Sequence, residues 1–105
     1  MSCEKHLRGW PSAVVNYVCG NMSLFPGINP GEYVKGVKTL IKFGVMPTPE
    51  DFRQMADVYR RNPYGKRTWG VIIAAVTAAA KAGEDPFAQL EEMMRTGVRR
   101  WWFGV

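Results

Sequence analysis

At 105 residues and 47% hydrophobic, the chain is one small domain, with apolar content enough for a single core without metals or disulfides. Fourteen Lys and Arg against nine Asp and Glu leave a net charge of +5 and a pI near 9.5, which suits nucleic acid, anionic lipid or an acidic protein neighbour equally well. Two cysteines and one histidine, Cys3, Cys19 and His6, are too few for a four-ligand zinc site.

The first ten residues, MSCEKHLRGW, carry neither the apolar run of a secretory signal nor the Arg- and Ser-rich amphipathic pattern of an organelle leader. Any targeting signal is therefore expected to be cryptic, internal or already removed. Cys3 reads as a loose terminal thiol and Cys19 as a core thiol, in a compartment that does not require disulfides. The sequence gives a Cys3–Cys19 bridge no special support.

Pro11-Ser12 opens a short apolar segment, Ala13 to Cys19, in which Val14, Val15 and Val18 share a face before Gly20 stops it. Gly20 to Asn29 reads as a loop whose apolar members, Phe25 among them, lie back over the core. Asn29-Pro30-Gly31-Glu32 then places Asn at a helix N-cap and Pro at the first helical position. The helix that follows runs to about Phe43, with Val34, Val37, Leu40 and Ile41 on one side. Lys35, Lys38 and Lys42 fall on another side at spacings of three and four, an arrangement that is more often a solvated face than a binding site.

Thr48-Pro49-Glu50-Asp51 repeats that grammar, with acidic residues in the first turn and Arg60-Arg61 in the last, each where the helix dipole favours it. Phe52, Met55 or Ala56, and Tyr59 form the apolar face of this helix. After the turn Asn62-Pro63-Tyr64-Gly65, Lys66-Arg67-Thr68 leads into a helix ending at Lys81, with Gly83 near the C′ position. Its alanines, Ala74, Ala75, Ala78, Ala79 and Ala80, predict close helix–helix packing. Asp85-Pro86 caps a last helix carrying Phe87, Leu90, Met93 and Met94, which Gly97 ends before the tail RRWWFGV. The longest apolar run, Trp69 to Ala80, is about twelve residues, whereas a membrane span needs about twenty.

These signals predict an all-α domain over 1–105, of about five helices in antiparallel pairs, with 1–10 and 99–105 as terminal extensions. The recurrent Asx/Thr-Pro starts fit a degenerate two-helix repeat and hence a short right-handed superhelical array with a concave face for a partner. There is no acid/base pair at useful spacing, no nucleophile with a partner base and no Gly-rich phosphate loop. A non-catalytic chain without cofactors is expected.

The stretch Lys35-Gly36-Val37, Thr39-Leu40-Ile41, Phe43, Val45-Met46-Pro47 and Pro49 resembles the string K-G-[IV]-x-T-L-[VI]-x-[YF]-x-[MV]-[VM]-P-x-P of subunit Va of mitochondrial cytochrome c oxidase. Asn29 and Glu32 match the approach to that helix, and Arg60-Arg61 stand where the family has paired arginines. A thinner likeness continues through Val71-Ile72 and Lys81-Ala82-Gly83 to Gly97-Val98. Gly44 replaces a usual acidic residue, Asn62-Pro63 replaces an Asn-Asp, and the tail with Trp101-Trp102 has no counterpart. The resemblance implies a non-catalytic accessory subunit of respiratory complex IV, peripheral on the matrix side of the mitochondrial inner membrane. Such a subunit holds no haem or copper. Its implied partners are the other oxidase subunits, especially subunit IV and the matrix face of the core, with larger respiratory assemblies beyond them.

Two other classes compete. Net charge, and Lys66, Arg67, Arg99 and Arg100 beside aromatics, suit a small nucleic-acid-associated adaptor such as a phage replication module. Against a simple helix-turn-helix reader, Glu50 and Asp51 would meet the phosphates first, and no nucleic acid is expected as a partner. Arg99, Arg100, Trp101 and Trp102 also suit anionic lipid at a membrane edge, although seven residues are too few to anchor a protein. The candidate partner contacts are Lys35, Lys38, Lys42, Arg60, Arg61, Trp101 and Trp102.

Overall fold

A computed structural model describes residues 2–104. Among them every regular element is helical: α1 (Ser2–Lys5), α2 (Ser12–Asn21), a 3₁₀ turn (Met22–Leu24), α3 (Pro30–Lys42), α4 (Pro49–Arg61), α5 (Lys66–Lys81), α6 (Leu90–Thr96) and a 3₁₀ segment (Arg99–Gly104). The all-α expectation holds.

The caps explain where the middle helices begin and stop. Asn29 Oδ1 accepts hydrogen bonds from the Gly31 and Glu32 N–H groups at 2.8 and 3.2 Å, which satisfies two of the otherwise free donors of α3. At α4 the Thr48 hydroxyl accepts from Asp51 N–H (3.1 Å) and the Asp51 carboxylate accepts from Thr48 N–H (3.0 Å), a reciprocal capping box. At the end of α3, Gly44 has φ +79°. Its N–H donates to Ile41 O, and the Val45 N–H donates to Leu40 O, each at 2.9 Å. That pairing needs a left-handed residue at C′, and glycine supplies it without Cβ strain. Leu40 and Val45 are both buried beside this stop.

The core is built chiefly of the inner faces of α3, α4 and α5, and Phe25 folds back from the loop after α2 to join it. Its ring centroid lies 5.1 Å from that of Trp69, 5.5 Å from Tyr59 and 5.7 Å from Tyr33, edge-on or tilted, which is the favoured aromatic geometry. The polar tips of these aromatics are each given a backbone carbonyl. Tyr33 OH donates to Val18 O at 2.5 Å, Tyr59 OH to Pro26 O at 3.3 Å and Trp69 Nε1–H to Glu32 O at 3.0 Å, while Tyr17, edge-on to Phe52, donates its OH to Pro47 O at 2.7 Å. Burial pushes the Tyr33 phenol well above its ordinary range, with a smaller contribution from Tyr17.

Asn62 is a second buried polar junction. Its Nδ2 donates to Val58 O (2.8 Å), its Oδ1 accepts from Val98 N–H (3.2 Å) and its carbonyl accepts from the Thr68 hydroxyl (3.0 Å). One side chain and its backbone thus join the end of α4, the start of α5 and the exit of α6.

Several expectations are corrected. The described part of the expected 1–10 extension is tied into the fold: Cys3 and Leu7 are fully buried, and Cys3 is bonded to Cys19 across a Cα–Cα distance of 5.8 Å. The Cys3 and Cys19 thiols are therefore one disulfide. The bridge was illegible because the approach of α1 to α2 depends on burial rather than on local spacing. Gly20 does not stop α2, which continues to Asn21 and then tightens into the 3₁₀ turn. Asp85 does not cap a helix at Pro86. Its Oδ1 accepts from Phe87 N–H (3.1 Å) in a local turn, and α6 begins only at Leu90. Residues 99–104 wind into the 3₁₀ segment, which packs on α5.

Candidate functional site

Close approach of α3 to α5 occurs at Gly36. A Cβ placed there would lie 2.8 Å from Trp69 Cε2 and 2.9 Å from Ile73 Cγ1, and closer still to Trp69 Nε1. Only a residue without a side chain admits the indole whose N–H reaches the Glu32 carbonyl one turn earlier. The alanine face of α5 plays a different part from the one expected. Val71, Ala74, Ala75, Ala78 and Ala79 floor a groove of about 290 Å³, and Trp101 forms one of its walls.

With the inner face of α3 committed to α5 and the core, the lysine face turns outward. Lys35 and Lys42 are exposed and Lys38 is half-buried. Together with Thr39, Val34, Gly31 and His6 they line a concavity of about 370 Å³. His6 comes from the turn after α1, held there by the Cys3–Cys19 bridge and by buried Leu7. It lies against the start of α3, where a Cβ at position 31 would stand 3.4 Å from His6 Cε1, in ordinary contact, and a tighter 3.1 Å from Asn29 Oδ1. The Lys38 ammonium also sits 5.8 Å from the Trp10 ring centroid, within cation–π range.

Several cations on the other helices have a carboxylate partner. Arg60 and Arg95 pair with Asp57 and Glu92 at 2.7 and 2.6 Å, Arg53 pairs with Glu50, and Lys66 lies 3.6 Å from Glu32. Among the described residues no carboxylate pairs with Lys35, Lys38 or Lys42. The exposed intrahelical pairs contribute little to stability, about 0–1 kcal/mol each.

The structure thus brings Lys35, Lys38 and Lys42 together. Arg60 and Arg61 stand exposed at the end of α4, where Arg61 borders a second groove with Glu91, Glu92 and Arg95 on α6. Trp101 is half-buried against α5. The Trp102 side chain lies outside the described residues. In the sequence His6 reads only as a metal-ligand residue type, and nothing local to it signals proximity to residues some thirty positions later. Among the described residues no group of three or more His, Cys, Asp or Glu could hold a metal ion. Among them, too, no helix is long and apolar enough to cross a membrane. The arrangement offers a basic concavity and an apolar groove, which suits binding through surfaces.

No protein-family model, curated protein or solved structure matches the chain.

Proposed function

We propose that the chain is a non-catalytic accessory subunit of mitochondrial cytochrome c oxidase, peripheral on the matrix side and acting through surface contacts that support assembly and stability. In this reading its helices belong to a right-handed superhelical array of antiparallel pairs. Lys35, Lys38, Lys42, Arg60, Arg61 and the terminal tryptophans face neighbouring subunits or anionic lipid at the membrane edge.

One observation carries the reading: residues shared with the subunit Va string are those that shape the α3–α4 corner. Gly36 admits Trp69, Leu40 and Val45 bury the helix stop, Pro47 accepts the Tyr17 hydroxyl, and Pro49 opens α4. A string in which several residues have mutually dependent tasks is harder to reach by coincidence than a run of helix formers. The disulfide pulls the other way, because reducing compartments keep such pairs open.

The test is affinity capture of the tagged full chain from mildly solubilised membranes, read by mass spectrometry and by the haem absorbance of the eluate, with thiol labelling of the captured chain. Co-elution of haem-bearing oxidase at constant ratio is expected. Recovery of nucleoprotein, or of the chain alone, would sink the assignment.

A further inference from the structure

We propose that the concavity between the α1 turn and the outer face of α3 is a binding site for a multiply charged phosphoryl anion, a di- or triphosphate group, held by Lys35, Lys38 and Lys42 with His6 at its rim. The oxidase reading gives these lysines to neighbouring subunits or anionic lipid; a phosphoryl site goes beyond that reading, and it stands or falls in the purified chain without a partner.

The argument begins with charge. Lys35, Lys38 and Lys42 occupy positions i, i+3 and i+7 of α3, one face of the helix, and line the same 370 Å³ concavity. Their seven-residue span is about 10 Å along the axis at about 1.5 Å per residue. That is comparable with the screening length of about 10 Å at 0.1 M salt, so the three charges act jointly on anything between them. Like charges at such spacings repel, and Arg60, Lys66 and Arg95, on α4, α5 and α6, have carboxylates within 4.0 Å while, among the described residues, these three lysines do not. A bound anion removes the repulsion and gains charge-assisted hydrogen bonds from ammonium donors that no protein carboxylate occupies.

Shape supplies the second part. An open lysine stripe on an isolated helix is convex and solvated. Here α1 makes it concave, because the disulfide and buried Leu7 hold the His6 turn beside the first turn of α3. The imidazole lies against Gly31, within ordinary contact of where a Cβ would stand. Lys38 is steadied by the Trp10 ring, which limits the freedom lost on binding. Thr39 contributes shape rather than a donor, since its hydroxyl hydrogen goes to Lys35 O at 2.9 Å. Three point-charge ammonium groups suit phosphoryl oxygens spread along a chain better than a planar carboxylate, for which arginine forks are the better match. An extended di- or triphosphate therefore fits both the length and the donor chemistry.

The test is calorimetric titration of the oxidised, full-length chain with sodium tripolyphosphate at about 0.1 M salt, together with amide chemical-shift mapping. Saturable one-to-one binding is expected, with shifts confined to His6, Gly31 and the stretch from Lys35 to Lys42. Lys35→Gln with Lys42→Gln should weaken binding about tenfold, the loss of two charge-assisted contacts to one anion. Arg53→Gln with Arg95→Gln removes the same net charge on α4 and α6 and should weaken it less than about twofold. Both pairs lie on exposed side chains, and circular dichroism checks that each folds. Vesicles carrying phosphatidic acid in phosphatidylcholine distinguish the source. Vesicle binding displaced by tripolyphosphate makes the ligand a lipid headgroup, and tripolyphosphate binding without vesicle binding makes it a soluble phosphate, the groove being upheld in either case. Absence of saturable binding, equal losses in the two double variants, or shifts centred elsewhere would overturn the site.

Discussion

Replacing Gly36 with alanine tests the central contact of the fold. The new methyl would stand 2.8 Å from Trp69 Cε2 and 2.9 Å from Ile73 Cγ1, against about 3.5–4.0 Å for a comfortable carbon–carbon contact. Either α3 and α5 move apart or the indole turns away. Overpacking of a tight core costs about 1–3 kcal/mol, and an indole turned from Glu32 O leaves a buried donor unpaired at about 1–3 kcal/mol more. Alanine returns about 1 kcal/mol through its better helix propensity. The net expectation is a loss of about 3 kcal/mol, and at about 4–8 °C per kcal/mol for a domain of this size the melting temperature falls by about 12–24 °C. Urea unfolding followed by far-UV circular dichroism reads the change directly. Gly20→Ala is the matched control: it lies in α2 with nothing within 4 Å of its would-be Cβ, so it should gain about 0.5–1 kcal/mol. Coupling to Trp69→Phe, which removes the atoms nearest the new methyl, should recover about 1–2 kcal/mol of the summed single losses. A Gly36→Ala protein as stable as the parent, or more so, would refute the reasoning, because it would mean that the helices are not held at this distance.

Changing Cys3 and Cys19 together to alanine opens a loop whose ends are 16 residues apart, and should cost about 3 kcal/mol. Denaturant midpoints of the oxidised parent and the variant check it. Tyr33→Phe removes a donor to Val18 O and should cost about 1–2 kcal/mol at neutral pH. Because burial raises the folded-state Tyr33 phenol above its ordinary 10.0, the folded protein holds a proton that the unfolded chain releases. Stability from this group is therefore complete below about pH 10 and falls as pH rises beyond it. Tyr33→Phe should flatten that alkaline slope, and an unchanged slope would show that another group sets it. Asn62→Ala leaves Val98 N–H without its acceptor and Val58 O without its added donor. A loss of about 2–4 kcal/mol is expected, with accelerated amide exchange at Val98 as the local signature.

Certain features were legible because their causes are local. Asn29-Pro30 and Thr48-Pro49 state helix starts in adjacent residues, and the caps form where those letters stand. Gly44 and Gly83 state helix ends in the same way, each adopting positive φ at C′. Apolar spacing along α3 and α4 chose the buried faces, and by subtraction turned Lys35, Lys38 and Lys42 outward. Gly36 was legible as a point of close packing, but its neighbour was not: Trp69, whose indole N–H reaches Glu32 O, is 37 residues from Glu32.

What tertiary structure alone decided is which distant residues meet. Cys3 and Cys19 join because α1 is buried, and a bridge cannot be read from spacing when the intervening chain has many ways to close. His6 stands beside the lysine face for the same reason. Asp85 looked like a helix cap, yet its acceptor was satisfied by Phe87 N–H in a local turn, and Leu90 and Met93 bury themselves by starting α6 later. The sequence by itself determined the capped middle helices, α3 and α4, and where they begin, since a cap needs only its own neighbours within a few residues. The basic concavity came from burial and packing across long separations, where the free energy belongs to the pair and neither partner alone carries its signal.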